Sequence, residues 1–250
     1  MTLLQRVTKA ISDADYANRH IIDQGPFRVL IDRKRSAVFV NYAVPLTEVQ
    51  SPAEDISALV ATFHAEGRVP RIETPKIENP ELEEQLHVAG FKLERELPLM
   101  ACPKEGFVPF LGGPAEIRLL GPSDDVRVYY ETANRAFGVQ LPVGETPVIK
   151  GEADKETGEL HIAIAYLNGQ PVGCACLGPT CELSGVGVLQ EFRRRGIAAA
   201  VSSSLLEAHF RSRDLAWLTA EDEHAERLYT KLGFTKIGTY QAWAVVPHIV

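Results

Sequence analysis

Residues 185–198 read GVGVLQEFRRRGIA and lead into an apolar-periodic run that ends near Arg211. The stretch reads as a β-strand, a basic loop and a helix N-terminus in unbroken succession, which calls for a fold that mixes strands and helices. Gly196 has no Cβ, so backbone closes there easily. The helix that opens behind it offers amides without intrahelical acceptors and the positive end of its macrodipole. Such a helix mouth binds anions. Arg193, Arg194 and Arg195 add guanidinium groups, whose planar donors suit phosphate, and Ala198-Ala199-Ala200 keep the first turn slim. From these residues alone two readings stay open: a diphosphate seat, or a basic turn that caps a surface helix.

The chain has 250 residues, a length that allows one large domain or two smaller ones. Residues 102–115 read CPKEGFVPFLGGPA, and prolines and glycines at that density mark a linker or long turn. Domains are therefore expected over 1–110 and 111–250. In the first, strands are expected at Phe27–Asp32, Ala37–Val44, Arg68–Glu73 and Phe91–Met100. Helices are expected at 52–66, with Ser51 as cap and Pro52 in its first turn, and at Pro80–Ala89. In the second, the pattern predicts a strand at Ala115–Leu120 and a helix at Pro122–Phe137. It then predicts a hairpin of Glu159–Leu167 with Gln170–Leu177 through Asn168-Gly169. A strand at Cys181–Leu189, a helix at Gly196–Arg211, a strand at Leu215–Ala220, a helix at Asp222–Leu232 and one or two strands in Phe234–Val246 complete it. Residues 137–158 have turn residues and charges without a clear period, as in a loop or a substrate lid.

Gly90-Phe91 and Gly233-Phe234 each end an amphipathic helix and open a strand. With these pairs aligned, Leu86 falls opposite Tyr229 and the segment 49–53 opposite 192–196. The halves thus read as an internal repeat of weak identity.

Composition narrows the function classes. Net charge is −7, which disfavours nucleic acid as a partner and favours cationic ones such as amines. The first twenty residues hold no long apolar run of a secretory signal, and no stretch reaches the roughly 18 apolar residues that span a bilayer. The expected location is the cytoplasm. Cys102, Cys174, Cys176 and Cys181 form no CxxC pair, and Cys174 and Cys176 read as small buried hydrophobes. His87 and His161 have no partners at metal spacing, so no metal is expected; His224 reads as an exposed residue at a helix start.

A second informative segment is AERLYTKLGF, residues 225–234. Tyr229 lies one helical turn after Ala225 on the same face. A tyrosine beside a leaving thiolate can act as general acid; a half-buried packing role is the other reading.

Together, Arg193-Arg194-Arg195-Gly196-Ile197-Ala198, preceded by Val186-Gly187-Val188, and Leu228-Tyr229 followed by Gly233-Phe234 resemble the phosphate-loop and C-terminal motifs of the GNAT N-acetyltransferase superfamily. The resemblance covers about half of the chain. It implies an α+β fold: a mixed, mostly antiparallel sheet, splayed beside Val186–Val188 and flanked by helices. It implies acetyl-CoA as co-substrate, with its pantetheine arm along Val186, Gly187 and Val188. The diphosphate would rest on amides and side chains around Arg193, Arg194, Arg195, Gly196, Ile197, Ala198 and Ala199. A primary amine, on a small molecule, a peptide N-terminus or a lysine, would attack the thioester directly. Tyr229 would protonate the thiolate, and Glu182 or water would take the ammonium proton. An oxyanion donor would come from backbone near Val186–Val188. Asp222 stands where many members carry asparagine; it keeps the acceptor oxygen and lacks the amide donors.

The first half resembles a degenerate copy, as in tandem members. Its counterpart of the phosphate loop, Gln50-Ser51-Pro52-Ala53, has no glycine or arginine, and Pro52 lacks a donor. That half is expected to be structural or to wall the substrate cleft, in a monomer or homodimer. Competing readings are a non-catalytic acyl-CoA sensor or scaffold, and an interaction protein that works through its first half.

Overall fold

The computed structural model describes residues 1–14, 19–140, 142–156 and 160–245. In chain order the elements are α1 (Leu3–Asp13), β1 (His20–Gln24), β2 (Phe27–Ile31), β3 (Tyr42–Pro45), α2 (Pro52–Ala65), β4 (Arg71–Pro75), α3 (Pro80–Val88) and β5 (Phe91–Pro103). There follow β6 (Glu116–Leu119), α4 (Arg127–Ala136), α5 (Glu145–Glu156), β7 (His161–Leu167), β8 (Gln170–Leu177) and β9 (Leu183–Val188). The last are α6 (Ile197–His209), β10 (Leu215–Thr219), α7 (Glu223–Lys231) and β11 (Thr235–Val245). The chain divides into two compact units: one comprises residues 1–7, 100–218 and 222–236, the other 8–99, 219–221 and 237–250. Among the described residues, no helix is long and apolar enough to cross a membrane.

In the second of these units, β1, β2 and β3 form an antiparallel meander, with His20 opposite Ile31 and Phe27 opposite Pro45. Strand β3 runs parallel to β4, and β4 pairs antiparallel with β11 from Pro75–Tyr240 to Arg71–Ala244. Helices α2 and α3 bury Ile56, Leu59, Phe63 and Leu86 against Phe27, Ile72 and Trp243 of the sheet. Asn79 caps α3 by accepting from the amides of Glu81 and Leu82. Ser51 does not cap α2 with its side chain; instead its own amide donates to Asp55 Oδ2 at 3.2 Å. The strand expected at Ala37–Val44 is a 3-10 turn over Val38–Val40 before β3. Buried Asn41 explains the break: it accepts from the Asp32 amide at 2.7 Å and donates to the Arg35 and Ala37 carbonyls. Those backbone groups are thereby taken from any ladder. Strand β4 begins at Arg71, three residues later than expected, and β5 continues past Met100 to Pro103, inside the expected linker. Helix α1 and strand β1 fall where the pattern predicted no element; Thr2 and Gln5 exchange side-chain-to-amide bonds at the start of α1, a capping box.

In the first unit, β6-β7-β8-β9 form an antiparallel sheet in sequence order. The turn between β7 and β8 has positive φ at both Asn168 and Gly169, as the hairpin signal requires. Helix α6 packs on β7, β8 and β9, and α4 on β8 and β9. A Cβ at Gly173 would meet Ile197 at 3.0 Å, so α6 lies close on the sheet. Val126, Tyr129, Ile162, Ile164, Cys174 and Cys176 make the core on the α4 side.

Three expectations are corrected here. Helix α4 starts at Arg127, not Pro122. Asp124 Oδ2 accepts the Gly121 amide at 2.7 Å and Glu152 Oε1 accepts the Val126 amide at 2.7 Å, which holds 121–126 as a turn. Residues 145–156 are helix α5 rather than loop; residues 141, 157 and 158 of that stretch, Glu159 of the expected hairpin and Val246 of the expected last strand lie outside the described residues. The strand expected over Cys181–Leu189 is confined to Leu183–Val188, because Cys181 has φ +64° in a turn. All four cysteines are buried and free, and burial pushes the Cys174 thiol up to about 12, as suits apolar packing.

Candidate functional site

Among the described residues, the chain just before β9 meets β10 at an isolated parallel bridge, Glu182 with Trp217. Beyond it β9 stays in the four-stranded sheet as its edge, while β10 belongs to the other sheet, beside β5. The two strands therefore part, and among the described residues one side of β9 has no strand neighbour. An edge strand exposes amides and carbonyls that an extended ligand can pair with.

Against β9 lies a cleft of about 980 Å³, lined by Val186, Gly187 and Val188 of β9, the turn and first residues of α6, and residues of α7. Gly196 caps α6 with φ +79° and no side-chain acceptor. Arg194 just before it has φ +62°. These two left-handed residues reverse the chain, so the amides of Ile197, Ala198 and Ala199 open into the cleft without carbonyls one turn earlier. Buried Ile197, Val201, Leu205 and Leu206 hold α6 in place from the other side.

The three arginines take different positions. Arg193 donates from Nε to the Val188 carbonyl at 3.0 Å and from a terminal nitrogen to the Ala136 carbonyl at 2.9 Å. It ties the end of β9 to the C-terminus of α4, where a cation also meets the negative end of the helix dipole. Arg194 lines the cleft. Arg195 donates to the Glu191 carbonyl at 3.0 Å, lies over the Phe192 ring and is not among the lining residues.

Tyr229 lies on α7, 8% exposed, and lines the same cleft. Its ring meets Phe234 edge-on at 5.8 Å. Burial holds its phenol well above the usual tyrosine range, so it carries its proton at neutral pH. Asp222 also lines the cleft, and its Oδ1 accepts the Ala225 amide at 2.8 Å as the cap of α7. Glu182 is half-buried and outside the lining; its carbonyl accepts the Gly178 amide at 3.3 Å. Among the described residues no group of three or more His, Cys, Asp or Glu is arranged to hold a metal ion.

The structure adds residues that sequence reasoning missed. Arg227 and Lys231, one turn apart on α7, join Arg194 and His224 at the cleft. On a chain of net charge −7, this is a local positive field suited to an anionic ligand. Their i, i+4 spacing on the helix of Tyr229 was a usable signal. Phe110 and Phe137 also line the cleft; they come from distant segments, and no spacing links them to it.

The edge of β9, the start of α6 and Tyr229 thus line one cleft. Residues 158–236 match the acetyltransferase (GNAT) domain family. The match spans β7 to α7 and so includes most of the cleft. No curated protein matches the chain. Among solved structures, a GCN5-related N-acetyltransferase from Kribbella flavida is similar with a TM-score of 0.79 and 23% identity, over 100% of this chain and 98% of that one. A GCN5-related N-acetyltransferase from Sphaerobacter thermophilus is similar with a TM-score of 0.64 and 16% identity, over 91% of this chain and 84% of that one. A tandem GNAT protein from the clavulanic acid biosynthesis pathway gives a TM-score of 0.59 and 11% identity, over 97% and 88%. The chain thus shares the GNAT fold, a curled and mostly antiparallel sheet flanked by helices, and its GNAT-matching segment carries most of the cleft.

Proposed function

We propose that this protein is an acetyl-CoA-dependent N-acetyltransferase that moves an acetyl group to a primary amine by direct attack. The observation that carries the proposal is the convergence in one cleft of the open edge of β9, the unpaired amides of α6 and the protonated phenol of Tyr229. The amide-bearing pantetheine arm would pair with Val186–Val188. The diphosphate would rest on the amides of Ile197–Ala199, with Arg194 as a direct cation. Arg193 would act by positioning, since its guanidinium is committed to the Val188 and Ala136 carbonyls. Asp222 would hold the start of α7 rather than donate to the arm.

The amine nitrogen would form a bond to the acetyl carbon as the C–S bond breaks. A backbone amide near Val186–Val188 would stabilise the oxyanion, and Tyr229 would give its proton to the departing thiolate. Glu182 stands outside the cleft lining, so its role as base requires a water between it and the ammonium.

We also propose that residues 111–250 form the catalytic GNAT domain and 1–110 a degenerate copy with a structural role. The order α2-β4-α3-β5 matches α6-β10-α7-β11, and Leu86, which the sequence repeat sets opposite Tyr229, is fully buried.

The test is calorimetry with acetyl-CoA followed by a thiol-release assay over an amine panel. Tyr229→Phe should lower kcat by about 10²-fold while CoA affinity stays the same, and Glu182→Gln should remove the acidic limb of the pH profile. Full turnover in Tyr229→Phe across pH would refute the acid assignment. Tight binding without turnover on any amine would make the protein a sensor.

A further inference from the structure

After β5 and a 3-10 turn over Lys104–Gly106, residues 107–113 run along α6 and past the end of α7 without regular structure, yet they are pinned at several points. The Val108 amide donates to the Leu232 carbonyl at 3.1 Å. The Phe110 amide donates to Ser203 Oγ at 2.9 Å, and Ser203 is 1% exposed. Phe107 packs its ring against Phe210 at 5.4 Å, and the turn at Gly113, φ +98°, lies against Ala200 and the Gly196 carbonyl. The segment is therefore held as a wall.

What this wall presents is the ring of Phe110. Its Cε1–Cζ edge is gripped by three glycines: a Cβ would meet it at 3.1 Å from Gly196, 3.5 Å from Gly112 and 3.8 Å from Gly113. Phe110 as a whole is 36% exposed and lines the same cleft as Arg194. A large apolar ring fixed by its edge, open to solvent and adjacent to an anion seat fits a ligand that joins a phosphate to a flat heteroaromatic base. Stacking on such a ring contributes strongly and depends little on which base is offered.

We infer that Phe110 is a specificity-determining residue that stacks on the purine base of coenzyme A, so the linker between the halves supplies the nucleotide end of the site. This rests on the acyl-CoA reading above. It makes the site selective for the nucleotide-bearing thioester over the bare phosphopantetheine arm.

The experiment is calorimetric titration of the full chain with three probes: CoA, adenosine 3′,5′-bisphosphate and 4′-phosphopantetheine. Phe110→Ala and Phe110→Leu should each weaken CoA and adenosine 3′,5′-bisphosphate about tenfold, with 4′-phosphopantetheine unchanged; Phe110→Trp should retain wild-type affinity for all three. Leucine keeps apolar bulk against the glycines, so it separates loss of stacking from collapse of the wall. Equal weakening of all three probes, or no weakening of CoA, overturns the inference. Failure of the unsubstituted protein to bind CoA would instead remove the acyl-CoA reading, and this inference with it, before any substitution is compared.

Discussion

Gly187→Ala tests how closely the cleft's parts are fitted. Gly187 lies in β9, and a Cβ built there would stand 2.8 Å from Ala136 Cβ and 3.4 Å from the Phe137 ring. Carbon atoms settle at about 3.5–4.0 Å, so the new methyl overlaps Ala136 by nearly 1 Å. Phe137 can turn away by rotation, but Ala136 has no rotamer to change. The end of α4 or the strand must therefore move. Overpacking of this kind costs about 1–3 kcal/mol, a large share of the ~5–15 kcal/mol of a typical domain. The displacement also loads the Arg193–Ala136 bond of 2.9 Å, so CoA binding should weaken as well. Ala136→Gly removes the opposing methyl at a cost of about 0.5–1 kcal/mol. The double variant should then be more stable than Gly187→Ala alone, with a coupling of about 1–2 kcal/mol. Urea unfolding followed by far-UV circular dichroism reads the stability, and calorimetry with CoA reads the site. An unchanged midpoint in Gly187→Ala, or strict additivity in the double variant, would refute the reasoning.

Gly196→Glu should abolish CoA binding, because the side chain meets the Phe110 ring at 3.1 Å, puts a negative charge at the anion seat and costs ~1–2 kcal/mol in the left-handed region; calorimetry with CoA checks it. Ser202 Oγ is buried and has no hydrogen-bond partner among the described residues, so Ser202→Ala should leave stability unchanged or raise it by up to about 1 kcal/mol in urea unfolding. Burial lowers the pKa of His209, against the bond between its Nε2 and the Leu215 carbonyl at 2.7 Å, and burial lowers that of His161 too. The unfolded chain then takes up protons near pH ~6.5 before the folded one does, so stability should fall from about pH 7.5 to 5.5. His209→Gln should remove part of that slope and leave the share of His161; an identical slope would show that His209 titrates alike in both states.

Much of the site-bearing segment was legible because its signals are local. Asn168-Gly169 accepts the two positive φ angles of a tight hairpin, Gly196 accepts the turn before α6, and Gly233 stops α7 with φ +95°. Helix periodicity put Tyr229 and Ala225 on one face. Helix α5 was missed because its apolar residues have no period, and the start of α4 because the acceptors that hold the preceding turn include Glu152, far along the chain. The three consecutive arginines looked equivalent; only the positions of the Val188 and Ala136 carbonyls distinguish Arg193 from Arg194.

The residue order by itself determined the strand, the basic turn and the helix start behind it, since backbone freedom, dipole and charge are properties of neighbours in the chain. It also determined the helix that carries the phenol. Only the tertiary structure decided that β9 and β10 part after Glu182–Trp217, that Glu182 stands outside the cleft while Arg227 and Lys231 enter it, and that Phe110 closes against Gly196. Those outcomes depend on which surfaces pack together at ångström distances, and contact between residues far apart in sequence leaves no periodic trace in the order of the residues.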